Sequence, residues 1–190
     1  MHLAVHGVWS FLRRLVAWTT TGAVVTFTAY FMVTRPALFL MNFATYAVIS
    51  LASEAFFTGF TVQIRRRRRG EPIDWRLPCQ PFLWSLIVYG LSAAISFPLL
   101  ETAYPTFFHW PWFARGFGYM FGIYFWEYYW GWRIEDLTGT VPWKYRESPW
   151  RIWRYVNPYY AWSWFCYGFV LEFVHQRLIP ALPGIFAGFP

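Results

Sequence analysis

Between Arg14 and Arg35 the chain carries no charged residue, and the same is true from Phe82 to Leu100. Uncharged runs of this length constrain the fold more than any motif, because about 20 apolar residues are needed for a helix to cross a ~30 Å hydrocarbon layer. About five such stretches can be read. The first is Leu15 to Val33, flanked by Arg13-Arg14 and Arg35-Pro36, and the second is Ala37 to Ile64, interrupted by Glu54 and ended by Arg65, Arg66, Arg67, Arg68 and Arg69. The third is Phe82 to Leu100, between Pro81 and Glu101. The fourth, Phe113 to Trp132, holds Arg115 and Glu127, and the fifth, Pro158 to Leu178, holds Glu172, His175 and Arg177.

Composition supports lipid as the surrounding medium. Hydrophobic residues make up 57% of the 190, aromatic residues 25%, and charged residues only 13%, against roughly 25% charged in soluble domains. A net charge of +7 in a soluble protein would suggest nucleic acid. Here the basic residues sit between apolar runs and the aromatics suit membrane interfaces, so nucleic acid is not an expected partner. Cys79 and Cys166 fit neither a disulfide framework nor a zinc site. The expected fold class is therefore all-α, a polytopic transmembrane helix bundle.

Basic residues set its orientation. Of the sixteen Lys and Arg, all but Arg35, Arg115 and Arg177 lie before the first stretch, after the second or after the fourth. Five crossings then put the N-terminus on the cytoplasmic side and the C-terminus opposite. A signal peptide would also begin with basic residues, but the first stretch is long and no clear A-x-A site follows. Between the last two stretches, Ser148-Pro149 reads as a helix start, with Trp150, Arg151, Trp153 and Arg154 forming an amphipathic surface helix. Arg65 to Arg69, with Arg151 and Arg154, are the expected contacts for anionic lipid headgroups.

A repeat is visible. Glu54 follows Tyr46 by eight residues, just before Thr58-Gly59, and Glu127 follows Tyr119 by eight, just before Trp130-Gly131. The stretch after each carries a Tyr-Gly pair, Tyr89-Gly90 and Tyr167-Gly168. Stretches two and three would then be repeated as four and five, a duplicated two-helix hairpin with the first stretch added in front. Residues 1–36 are read as that N-terminal extension, 37–180 as the main membrane domain, and 181–190 as a Pro/Gly-rich tail.

From Phe43 onward the chain resembles the transmembrane protein 229 family, which overlaps a group labelled ABC-transporter type IV. The likeness rests on Tyr46-Ala47, Ser53-Glu54-Ala55-Phe56-Phe57-Thr58, Leu83-Trp84, Tyr89-Gly90 and Trp126-Glu127 through Gly131. It continues in the loop motif Pro142-Trp143-Lys144-Tyr145, then in Trp164-Phe165-Cys166 and Leu171-Glu172. It implies a multi-span membrane protein, and the N-terminal extension departs from it. The chain has no G-x-x-x-x-G-K-[ST] loop, so an ATP-driven role would need a separate ATPase.

Ionisable side chains inside a span cost several kcal/mol unless paired, protonated or hydrated. Glu54, Glu127 and Glu172, with Tyr46 and Tyr119 nearby in sequence, are thus the candidate buried polar residues. At 1.5 Å per residue Glu54 lies ~16 Å from Arg65, Glu127 ~9 Å from Arg133 and Glu172 ~21 Å from Pro158, which places them at different depths. Three functions suit these residues. The first, and the main expectation, is a structural or assembly subunit, packing through Gly118 and Gly122 against other membrane subunits or a second copy, with two alternatives beside it. The second is a transporter or lipid-handling protein whose glutamates line a polar path. The third is an intramembrane metal enzyme built on Glu172-x-x-His175, which has one such pair where di-iron bundles use two. A non-enzymatic protein is the expectation, with no cofactor predicted and no metal site beyond the weak pair Glu172 and His175.

Overall fold

The computed structural model describes residues 2–74, 83–140, 143 and 155–187. The chain divides into two units, Met1–Leu40 and Met41–Pro190. Among the described residues every long element is a helix and no strand occurs.

In the first unit, α1 spans His2–Thr34. Its threonines do not break it, because their hydroxyls bond back to its own carbonyls: Thr19 Oγ1 to Leu15 O at 2.9 Å, Thr21 Oγ1 to Ala17 O at 2.8 Å and Thr34 Oγ1 to Tyr30 O at 2.7 Å. A hydroxyl satisfied in this way is tolerated in an apolar setting. Only Arg35 separates α1 from α2, which spans Pro36–Arg68. The Arg35 N–H reaches Phe31 O at 2.9 Å and Arg35 O accepts from Phe39 N–H at 2.9 Å, so Arg35 closes the last turn of α1 and opens the first turn of α2.

Helix α2 does not stop at the basic run, as the sequence had led us to expect. Arg65 to Arg68 form its last turn, because arginine is a good helix former and cations at a helix C-terminus complement the macrodipole. Gly70, at φ 71°, then ends the helix in the left-handed conformation. Helix α3, Leu83–Ala103, contains Pro98, and a 3₁₀ turn at Pro105–His109 follows it. Helix α4, Trp112–Thr138, ends at Gly139 with φ 69°. A 3₁₀ turn at Pro158–Tyr160, capped by Asn157 Oδ1 accepting from Tyr159 N–H at 3.1 Å, opens α5, Ala161–Phe173. A π turn, Val174–Leu178, joins α5 to α6, Ile179–Ala187. Pro180, which has no N–H to offer Gln176 O, follows this wider turn at the start of α6. The Pro/Gly-rich tail is helical as far as Ala187.

Among the described residues three helices are long and apolar enough to cross a membrane: Arg14–Thr34 at mean hydropathy 1.3, Pro36–Arg68 at 1.4 and Trp84–Ala103 at 1.5. These lengths and hydropathies are compatible with an integral membrane protein. Within the second unit, α4 and α5 make the most extensive contact. Two glycines let it close, and a third lets the chain before α5 lie against α4. A Cβ on Gly116 would stand 2.2 Å from the Phe165 ring, one on Gly168 2.2 Å from Tyr119 Cβ, and one on Gly131 2.9 Å from Tyr155 Cβ. Tyr46, Val88, Ala94 and Ile134 are the most deeply buried apolar side chains of this unit.

Candidate functional site

The inward residues of α2 recur every four positions. Asn42, Tyr46 and Ser50 are buried and Glu54 is half-buried, which places a polar stripe ~18 Å long along one helix. Its two ends meet different partners, and two polar clusters result.

The first cluster surrounds Glu54. The Ser85 and Tyr89 hydroxyls of α3 hydrogen-bond to its carboxylate, while its Oε2 is buried with no hydrogen-bond partner among the described residues. Glu127 of α4 and Tyr167 of α5 also lie within electrostatic reach of Tyr89. Tyr167 Oη donates to Ser50 Oγ at 3.1 Å and bonds Ser53 as well. Trp126 Nε1 donates to Val88 O at 3.2 Å, holding α4 against α3 beside this cluster.

The second cluster surrounds Glu172. Tyr119 Oη donates to Glu172 Oε2 at 2.6 Å, and Arg115 Nε forms an ion pair with the same oxygen at 3.3 Å. Arg115 Nη1 also donates to Phe108 O at 2.7 Å and Trp110 O at 3.2 Å, and its guanidinium lies 5.7 Å from the Phe169 ring centroid. A charge-assisted network of this kind satisfies groups that would otherwise be costly to bury. One turn further, His175 Nε2 lies 2.9 Å from Glu101 Oε1. The His175 ring stacks on Phe97 at 4.9 Å and on Tyr46 at 6.4 Å. Asn42 Oδ1, Tyr46 Oη and His175 Nδ1 are buried without a hydrogen-bond partner among the described residues.

The three glutamates thus divide two and one. Tyr89 hydrogen-bonds Glu54 and lies within electrostatic reach of Glu127, although distance from the nearest arginine had set the two glutamates at different depths. Glu172 belongs with Tyr119 and Arg115. Glu172 and His175, read from sequence as one metal-binding pair, take separate partners, and among the described residues no group of three or more His, Cys, Asp or Glu could hold a metal ion. Trp143 Nε1 donates to Tyr155 O at 2.9 Å, so this part of the loop motif fastens the chain before α5. Pro142, Tyr145, Arg151, Arg154 and the expected surface helix at Ser148-Pro149 lie outside the described residues. Arg67, Arg68 and Arg69 are exposed, and Arg66 pairs with Glu71 at 3.5 Å.

Sequence reasoning missed Ser50, Ser85, Glu101 and Arg115 as partners. Tyr89 and Tyr167 were noticed only as marks of the repeat. The glycine after each was the signal that could have identified them: a Cβ on Gly90 would meet the Phe43 ring at 2.7 Å, as one on Gly168 would meet Tyr119. Each glycine lets two helices close, and closure brings the preceding tyrosine within reach of its partners.

No family model, curated protein or solved structure matches this chain.

Proposed function

We propose that this chain is a multi-pass integral membrane protein of the transporter or lipid-handling class, in which α2 to α5 enclose a polar path that carries protons. The observation behind this is Tyr89, which hydrogen-bonds Glu54 and lies within electrostatic reach of Glu127 on a different helix. Two carboxylates in one apolar interior do not both ionise readily, and buried acids of this kind are the groups from which proton relays are built. A purely structural pin needs only one. The polar stripe on α2 extends from this pair toward the Glu172 and His175 cluster, giving the path its direction.

The paired arrangement also supports the duplication. Tyr89 lies within electrostatic reach of Glu54, Glu127 and Tyr167, and Tyr46 within that of Tyr119. Equivalent residues of two hairpins related by an axis along the membrane normal would meet in this way. We extend the proposal to five crossings, which require the chain to reverse at Arg35, and to a distant relationship with the transmembrane protein 229 family, based on the residues quoted above.

The test is proton flux in liposomes loaded with a pH-sensitive dye. Wild-type protein collapses an imposed pH gradient, and Glu54→Gln does not. Equal flux from both, or none from either, ends the proposal.

A second reading, an assembly subunit, is favoured by a separate observation. Phe113, Phe117, Phe121 and Phe125 are exposed at four-residue spacing on α4, and a Cβ on Gly122, among them, would meet nothing within 4 Å. Such a face suits another helix as well as it suits lipid. Co-purification with a second membrane protein at fixed stoichiometry supports this reading.

A further inference from the structure

The half of α2 that leads to the basic run carries a further feature on its exposed side. Ala52, Ser53, Phe56, Phe57 and Phe60 line an open, mostly apolar groove of about 550 Å³. Phe56 and Phe60 are 64% and 56% exposed, and Ile64, one turn further, is 50% exposed. At 3.6 residues per turn the same face continues to Arg67 and Arg68, seven and eight residues beyond Phe60 and ~10 Å along the axis. Both are exposed. Arg66 lies on another face, where its side chain meets Glu71 at 3.5 Å and Asp74 at 3.9 Å. One face of one helix therefore passes from an aromatic groove to a pair of guanidiniums.

We infer that this face is a binding site for an anionic glycerophospholipid, with an acyl chain against Phe56, Phe60 and Ile64 and the phosphate on Arg67 and Arg68. Charge complementarity selects this occupant over a neighbouring helix. An apolar helix would cover the phenylalanines but leave two adjacent cations facing hydrocarbon or each other, whereas a phosphodiester answers them at the depth where headgroups lie. Arginine favours phosphate further, because its planar fork can donate two hydrogen bonds to one phosphate. The basic run also sits on the side that the distribution of arginine and lysine assigns to the cytoplasm, where the leaflet is anionic. The inference depends on the membrane reading but not on proton carriage.

The experiment uses the full chain in nanodiscs of phosphatidylcholine containing a minor fraction of phosphatidylserine. Lipid retained through detergent exchange is then quantified by mass spectrometry. Wild-type protein is expected to retain phosphatidylserine above its bulk fraction. Arg67→Gln/Arg68→Gln lowers that enrichment on the order of tenfold, and Arg14→Gln leaves it unchanged. Phe56→Ala/Phe60→Ala lowers total retained lipid while the remainder stays enriched in phosphatidylserine. Equal enrichment in wild type and the double-arginine variant overturns the inference, as does an equal fall with Arg14→Gln, which would indicate attraction by net charge alone. Cross-linking of position 60 to a second protein chain instead of to lipid also overturns it. Protein that stays soluble without detergent or nanodiscs fails the membrane reading itself, and the two failures are thereby distinguished.

Discussion

Tyr119 and Glu172 join α4 to α5 through a 2.6 Å hydrogen bond between residues 53 positions apart, and Arg115 adds its charge to the same carboxylate oxygen. Removing one member of a buried ion pair typically costs ~3–5 kcal/mol in water-soluble proteins. In a bilayer the loss is smaller, because the unfolded helices also find partners there. We expect Glu172→Ala to destabilise by about 2 kcal/mol and Glu172→Gln, which still accepts from Tyr119, by about 1 kcal/mol. Thermal unfolding in detergent checks both. A double-mutant cycle of Glu172→Gln with Tyr119→Phe should give a coupling near 1 kcal/mol.

Glycines on α4 and α5 divide sharply by what lies beside them. Gly168→Ala must push a methyl into Tyr119 Cβ, a backbone-near atom that cannot swing away, and overpacking of this kind costs about 1–3 kcal/mol. Gly122→Ala meets nothing, and should gain up to ~1 kcal/mol from helix propensity. The two variants, compared by melting temperature in one detergent, should move in opposite directions. A loss at Gly122 equal to that at Gly168 would mean that Gly122 is covered by a partner.

The proposed orientation can be read with single cysteines on a background lacking Cys79 and Cys166. Arg14→Cys, Arg67→Cys and Thr140→Cys are expected to react with a membrane-impermeant maleimide from one face, and Thr106→Cys from the other. Labelling of positions 14 and 67 from opposite faces would mean that the chain does not reverse at Arg35. The proposed fold would then have four crossings after a cytoplasm-opposed N-terminus.

Glu54→Gln separates function from folding. Glutamine can still accept from Ser85 and Tyr89, so stability should change by less than ~1 kcal/mol. Proton flux should fall by tenfold or more, since an amide cannot release a proton in this range. Tyr89→Phe removes a hydroxyl that bonds Glu54, and is expected to lower stability by ~1 kcal/mol as well as flux.

Much of the helical layout was legible because it is local. An uncharged run has to satisfy its own backbone, and α1, α2 and α3 follow directly from Leu15 to Val33, Ala37 to Ile64 and Phe82 to Leu100. Depth was legible only in part. The estimates for Glu54 and Glu127 started from arginines taken as span edges, yet Arg65 to Arg68 and Arg133 lie inside helices. Those residues mark no fixed plane, so the position of both glutamates within electrostatic reach of Tyr89 was hidden. Glu172 and His175 looked like a pair because they are three apart, but a π turn begins at Val174. The wider turn alters the helical register at His175, which pairs with Glu101 instead.

The helices, and three lengths and hydropathies compatible with a membrane, were determined by the amino-acid order alone, because hydrophobic run length and backbone hydrogen bonding act over a few residues. Which hydroxyl meets which carboxylate was decided only by tertiary structure. Tyr119 reaches across 53 positions to Glu172, and Tyr167 across 117 to Ser50. The pattern on one helix fixes the face that turns inward, but it carries no information about which helix stands opposite.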